Sequence, residues 1–161
     1  MRVYLKNTCI IATIFINLMT NVNYLNKMPV KKYKIPEDDS VEMLNILREG
    51  VEFTYLNSIS DRINFTLEDW ASFLHLSERT IQRYKKEKKP FDTIYSEKIV
   101  QIDLLYKRGA EVFGDEENFH TWMETKSVPL GGVKPKELLD TTYGINMVAD
   151  ELVHIEHGVL A

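Results

Sequence analysis

From Ser40 to Gly158 the apolar residues recur every three or four positions, in blocks that open on a capping residue and close on glycine or proline. No segment alternates with period two for long. A period of 3.6 buries one stripe of a helix, whereas a half-buried strand needs a period of two. The chain is therefore predicted to be all-α.

The blocks follow one another closely. Ser40 is placed to cap a helix with Val41, Leu44 and Leu47 as its stripe and Gly50 as a left-handed end. Val51, Tyr55, Leu56 and Ile59 repeat at helical spacing. Thr66 opens TLEDWASFL, with Asp69 three positions on, the spacing of a capping box. Trp70, Ala71 and Leu74 share one face of it. Ser77 opens SERTIQRYKKEKK, with Ile81 and Tyr84 inward and Pro90 as a stop. Ser96 is expected to open a longer helix with Ile99, Ile102, Leu105 and Tyr106, running to Phe113 and ending at Gly114. DEENFHTWMET reads as a short helix with an acidic start, and KSVPLGGVKP as a compact loop. PKELLDTTYG reads as a helix begun by Pro135 and closed by Gly144. The last block places Ile145, Val148, Leu152 and Ile155 on one stripe, with Gly158 after it.

Residues 1–27 differ in composition: they hold Arg2, Lys6 and Lys27 but no Asp, Glu, Gly or Pro. Their apolar run CIIATIFINLM is too short to span a bilayer as a helix, and no small-residue cleavage site follows it. We read the functional chain as starting near Met28, with residues 1–27 a mis-called start. A membrane or export signal is the alternative. Residues 1–39 are then a leader and flexible arm, 40–110 a first helical domain and 111–161 a second. A single cysteine, Cys9, cannot form an internal disulfide, which fits a reducing cytoplasm.

Charge is the next constraint. The chain carries 20 basic and 24 acidic residues, yet Arg79, Arg83, Lys85, Lys86, Lys88 and Lys89 cluster within eleven positions beside a single Glu87. A solvated helix face is the plain reading of such a run; a polyanion that it touches is the sharper one. The spacing around the run favours the second. A helix-turn-helix needs a small residue where its helices cross, supplied by Ala71. Four positions on it needs a turn residue tolerant of positive φ, usually glycine and here His75. Ser77 then caps the second helix, where it is also an expected DNA contact, and Ile81 packs between the two. On that helix Arg79, Gln82 and Arg83 are long enough to read base edges, while Thr80, Lys85 and Lys86 suit phosphates, as do Lys88 and Lys89.

With these residues in place, the segments ILREGVEF, FTLEDWASFLHLSERTIQRY and VFGDEENFHTWMETKSVPLGGVKPKELLDTTYGINMVADELVHIEHGV closely resemble the Xre/MbcA/ParS-type antitoxins of toxin–antitoxin systems whose toxin has a RES domain. The resemblance covers about residues 40–161. Its most specific part is the end: Phe113–Gly114, Trp122, Leu130–Gly131–Gly132, Pro135 with Leu138 and Leu139, Thr141 with Gly144, and Gly158–Val159. Pro129 directly precedes Leu130, a shorter spacing than the family's. The resemblance implies a dimerising helix-turn-helix region that represses its own operon and binds operator DNA. It also implies a C-terminal domain that covers the active-site entrance of a toxin consuming NAD or a related ADP-ribose donor. Trp122, Leu130, Gly131, Gly132, Glu151, His154, Glu156, His157, Gly158 and Val159 are the expected toxin contacts, and carboxylates at Glu151 and Glu156 would imitate substrate phosphates.

Plainer roles compete at several positions. Trp122 is expected to anchor the core first, since large aromatics at helical spacing pack inward. Gly131 and Gly132 permit a tight loop, because a phosphate cradle would continue with Lys and Ser or Thr and VKPKE does not. His154 and His157 lack a third ligand, so no metal or other cofactor is expected. No nucleophile–base pair stands out, so no catalytic residue and no enzyme activity is expected. A stand-alone helix-turn-helix regulator, with a C-terminal domain that senses or oligomerises, is the alternative reading.

Overall fold

The computed structural model describes residues 40–158; the expected leader, arm and Val159 lie outside the described residues. The described residues form seven α-helices and one 3-10 helix. They contain no strand, and their only β-pairing is a single bridge between Ser127 and Val133. The all-α expectation holds. No helix among the described residues is long and apolar enough to cross a membrane. The chain divides between Arg48 and Glu49 into two compact units.

Helix α1 spans Ser40–Glu49, and its residues up to Arg48 are the described part of the first unit. Its stripe differs from the expected one. Met43 is buried, whereas Val41 and Leu44 are exposed. At about 100° per residue, Met43 and Leu47 lie within about 40° of each other, and Val41 falls on a different side.

The second unit begins with α2, Phe53–Ile63, which buries Tyr55, Leu56, Ile59 and Ile63. Helix α3, Leu67–Leu74, starts on the expected capping box: Thr66 Oγ1 accepts from Asp69 N at 3.1 Å, and Asp69 Oδ2 accepts from Thr66 N at 2.9 Å. Helix α4, Glu78–Glu87, is capped by Ser77 and ends on Lys88 at φ +52°, before Pro90. The 21-residue helix α5 then spans Thr93–Phe113 and stops at Gly114 with φ +89°. It runs through the expected domain boundary at 110/111. Helix α6, Glu116–Met123, is capped by Asp115, and α7, Thr142–Glu156, by Thr141.

Two expectations fail for one reason, which is that tertiary contact overrides a local cap. Ser96 does not open α5; Asp92 sits at its N-cap. Ser96 is instead fully buried in the second turn, where its hydroxyl accepts from Val51 N and donates to Phe91 O, both at 3.0 Å. These bonds satisfy backbone groups that the helix ladder leaves open. Likewise Gly144 does not close the Pro135 helix. That segment is a 3-10 helix, Pro135–Asp140, and Gly144 sits inside the first turn of α7. A Cβ at Gly144 would lie 2.0 Å from Leu138 O, so only glycine lets the 3-10 helix and α7 approach this closely. Gly144→Ala should therefore cost about 3 kcal/mol in a urea unfolding titration, since backbone must move to admit the methyl. Helix propensity alone favours alanine by up to ~1 kcal/mol. A gain in stability would show the two elements are not in contact.

A chain of aromatic rings carries the core from one end of this unit to the other. Phe65 meets Trp70 at 5.9 Å, Phe73 at 5.2 Å and Tyr106 at 5.1 Å, all edge-on. Tyr106 meets Phe119 at 4.9 Å, and Phe119 stacks on Trp122 at 5.7 Å. Edge-to-face pairs of this kind add to the stabilisation from burial itself. The helix-turn-helix and the C-terminal helices thus share one apolar interior, with α5 as its spine.

Candidate functional site

The helix-turn-helix forms as its residue spacing predicts. His75 adopts the left-handed conformation at φ +52°. Leu76 N donates to Ala71 O at 3.0 Å, closing the turn. Ile81 is fully buried and Tyr84 nearly so. Taken at about 100° per residue, Ile81 and Tyr84 lie on one side of α4, and Arg79, Gln82, Arg83 and Lys86 fall within an arc of about 100° on the opposite side. All four outward residues are exposed. None of them makes an ion pair or a side-chain hydrogen bond among the described residues.

The other expected contact residues are already occupied to different degrees. Ser77 Oγ accepts from Thr80 N at 3.1 Å and sits 2.9 Å from Thr80 Oγ1, so both hydroxyls serve the cap first. Lys85 Nζ lies over the Phe53 ring at 5.1 Å. Lys89 pairs with Asp92 at 3.6 Å and lies near the Tyr84 ring. The basic run therefore divides: Arg79, Arg83 and Lys86 face solvent together with Gln82, while Lys85 and Lys89 fold back onto the domain.

The expected toxin contacts come from three places: Trp122 on α6, the loop around Leu130, and the C-terminal end of α7. Leu130 is buried and anchors its loop, while Gly131 and Gly132 are exposed at φ +82° and +77° in the turn that follows. Gly132 N donates to Ser127 O at 2.8 Å, which closes this loop against the Ser127–Val133 bridge. Trp122 is half-buried: one face stacks on Phe119 and Phe113, so it is a partial core residue with a remaining exposed edge. On α7, His154 and Glu156 are exposed, with His157 and Gly158 just beyond its end. Glu156 is held by Arg108 of α5, and Glu151 lies 3.3 Å from His154 Nδ1. Among the described residues no three His, Cys, Asp or Glu side chains converge as metal ligands.

Some residues escaped the sequence reading. Val128 and Tyr143 are the large apolar side chains that the C-terminal region turns outward, at 86% and 76% exposure. Periodicity gives no warning of this, because one lies in a loop and the other in the first turn of a helix. A second group joins α3 to the 3-10 helix. Lys136 Nζ bonds Asp69 at 2.9 Å and Glu124 at 2.7 Å. Hydrogen bonds from Lys136 hold the Glu124 carboxyl below the usual carboxylate range. Lys98 Nζ donates to Phe73 O at 3.0 Å and to Asp140 O. These partners lie far apart in sequence, so no local pattern signals them.

Comparison with known proteins bears on both regions. Residues 42–102 match the family described as Antitoxin Xre-like helix-turn-helix domain. Residues 108–158 match the Antitoxin Xre/MbcA/ParS C-terminal toxin-binding domain. The chain is 24% identical over 130 residues to a Prs ADP-ribosylating antitoxin of Sphingobium sp. (strain YBL2), across 75% of this chain and 82% of the relative. Among solved structures, its fold resembles a chain of the M. tuberculosis MbcT-MbcA toxin-antitoxin complex, with a TM-score of 0.52 at 16% identity. That likeness covers 68% of this chain and 96% of the other. The chain thus carries an Xre-like helix-turn-helix domain followed, on the same long helix, by an Xre/MbcA/ParS antitoxin C-terminal toxin-binding domain.

Proposed function

We propose that this antitoxin neutralises a RES-domain toxin by covering its active-site entrance, and that it represses its own operon through α4 as a homodimer on operator DNA. The observation that carries the reading is the division of surfaces. One helix turns Arg79, Gln82, Arg83 and Lys86 outward from a net-acidic chain, and the matched toxin-binding region supplies a separate surface. Arginine can grip guanine at two points and glutamine adenine, while Lys86 lies beside them for a phosphate. Lys85 and the Ser77–Thr80 pair are secondary contacts, because each already has a partner within the fold.

A relative's name supports the reading of the toxin's substrate. The Sphingobium relative carries ADP-ribosylation in its name, and that reaction consumes an ADP-ribose donor such as NAD. A pocket for such a donor binds phosphates. In this reading the end of α7, with Glu151, His154, Glu156, His157, Gly158 and Val159, lies at the mouth of that pocket, while Trp122, Leu130, Gly131 and Gly132 shape the adjoining surface. Tyr143, at the other end of α7, and Val128 supply further exposed apolar area in the matched toxin-binding region. The antitoxin brings no catalytic group of its own.

The test is co-expression with the product of the neighbouring gene, a RES-domain protein on this reading, followed by co-purification. The wild-type chain should restore growth and retain the toxin on a column. Tyr143→Ala and Val128→Asp should each weaken the complex by at least about tenfold while leaving the melting temperature unchanged, as expected for exposed anchor side chains. Failure of the wild-type chain to restore growth would remove the RES assignment.

A further inference from the structure

A glycine would serve at the left-handed turn between α3 and α4, yet the chain places histidine there, at φ +52°. The imidazole has a task that glycine lacks. His75 Nε2 lies 2.9 Å from the backbone carbonyl of Asp140, 65 residues away. A carbonyl only accepts, so Nε2 carries the hydrogen. The same carbonyl also accepts from Lys98 Nζ, and Lys98 in turn donates to Phe73 O in the last turn of α3. Helix ends leave such carbonyls without partners inside the helix. Burial pulls the Lys98 ammonium below the ordinary lysine range, opposed by the nearby Asp140 charge.

Asp140 ends the 3-10 helix, and the residue after it, Thr141, caps α7. At the start of the same 3-10 helix, Lys136 bonds Asp69 in the first turn of α3. A six-residue 3-10 helix and an eight-residue α-helix are each about 12 Å long. That match lets one element strap α3 at both ends. Only Leu76 separates the strapped turn residue His75 from Ser77, the cap of α4.

We infer that His75 and Lys98 are positioning residues for the DNA-facing helix, through which the C-terminal region fixes the turn from which α4 projects, by way of the Asp140 carbonyl. This rests on the reading that α4 binds operator DNA. On this view the helix-turn-helix is complete only when the 3-10 helix is in place.

The test uses the full chain, a DNA duplex spanning the region upstream of its own coding sequence, and a random duplex of equal length. His75→Gly suits the left-handed turn at least as well as histidine, so it removes the clasp while sparing the backbone. It should raise the operator Kd by about 3- to 30-fold, the range for residues that couple through contacts. Affinity for random DNA and the salt slope should stay near wild type, because no phosphate contact is lost. Lys98→Met should act alike, and Lys98→Arg, which keeps the donors, should recover most of the loss. Wild-type operator affinity in folded His75→Gly overturns the inference and leaves operator binding standing. So does a loss that only follows the unfolded fraction. Should the wild-type chain bind both duplexes equally, operator recognition fails and the inference fails with it.

Discussion

Replacing Asp103 with alanine is expected to lower the unfolding free energy by about 3 kcal/mol, the low end for breaking a buried charge pair. Asp103 is 2% exposed on α5 and accepts from Tyr55 Oη at 2.8 Å, from Lys107 Nζ at 2.6 Å and from Arg62. Arg62 also reaches Glu116 at 2.7 Å, so one carboxylate ties α2 and α5 to the first turn of α6. Removing it takes away the acceptor 2.8 Å from the Tyr55 hydroxyl and the carboxylate bonded to the Lys107 ammonium. Burial already draws Lys107 down from the lysine range, and Asp103 opposes that pull. Arg62 suffers less, being partly exposed and still paired with Glu116, which is why the low end applies. In a thermal melt the loss corresponds to roughly 10 °C. Adding Lys107→Met to Asp103→Ala should restore part of the stability, because the stranded charge is gone, giving non-additive free energies. A single-mutant cost under about 1 kcal/mol, or strict additivity in the double mutant, would contradict the network.

The second large effect is on operator affinity. Arg79→Ala and Arg83→Ala should each reduce binding by about 1–3 kcal/mol, and relax the base preference at the position each side chain reads. Together they should remove most of the distinction between operator and random sequence. Folding stability should change by no more than about 0.5 kcal/mol, since neither side chain makes an ion pair or hydrogen bond among the described residues. Lys86→Ala gives the contrast: a uniform loss on all sequences and a salt slope flatter by about one. Lys86 suits this comparison better than Lys85, whose ammonium lies over Phe53 and whose removal also alters packing. Equal losses on operator and random DNA in the arginine variants would assign them to phosphates instead.

What could be read in advance was local. Thr66 with Asp69, Ser77 and Asp115 all cap the helices expected of them, because a cap needs only partners two or three residues on. Ile81 and Tyr84 face inward because helical periodicity fixes which side they share. His75 was legible as a left-handed turn residue from its spacing to Ala71 and Ser77. Where a residue had a local and a distant option, spacing misled. Ser96 resembles a cap and is a buried bridge to Val51, 45 residues away. Gly144 resembles a stop and is a contact point for Leu138. Of the charged run, spacing gave the cluster but not its division, since Phe53 and Asp92 draw Lys85 and Lys89 back onto the domain.

The sequence by itself determined that the chain is helical, where most helices begin and end, and that its positive charge gathers on one helix beside a turn. Those properties depend on neighbours within about four residues. Only the tertiary structure decided which basic side chains turn outward, which aromatic rings join the two regions, and that His75, Lys98 and Asp140 meet. The last of these depends on residues 42 and 65 positions apart, brought together when α5 and the 3-10 helix pack against α3. Hydrogen bonding and close packing act across space, and residue order carries no mark of such meetings.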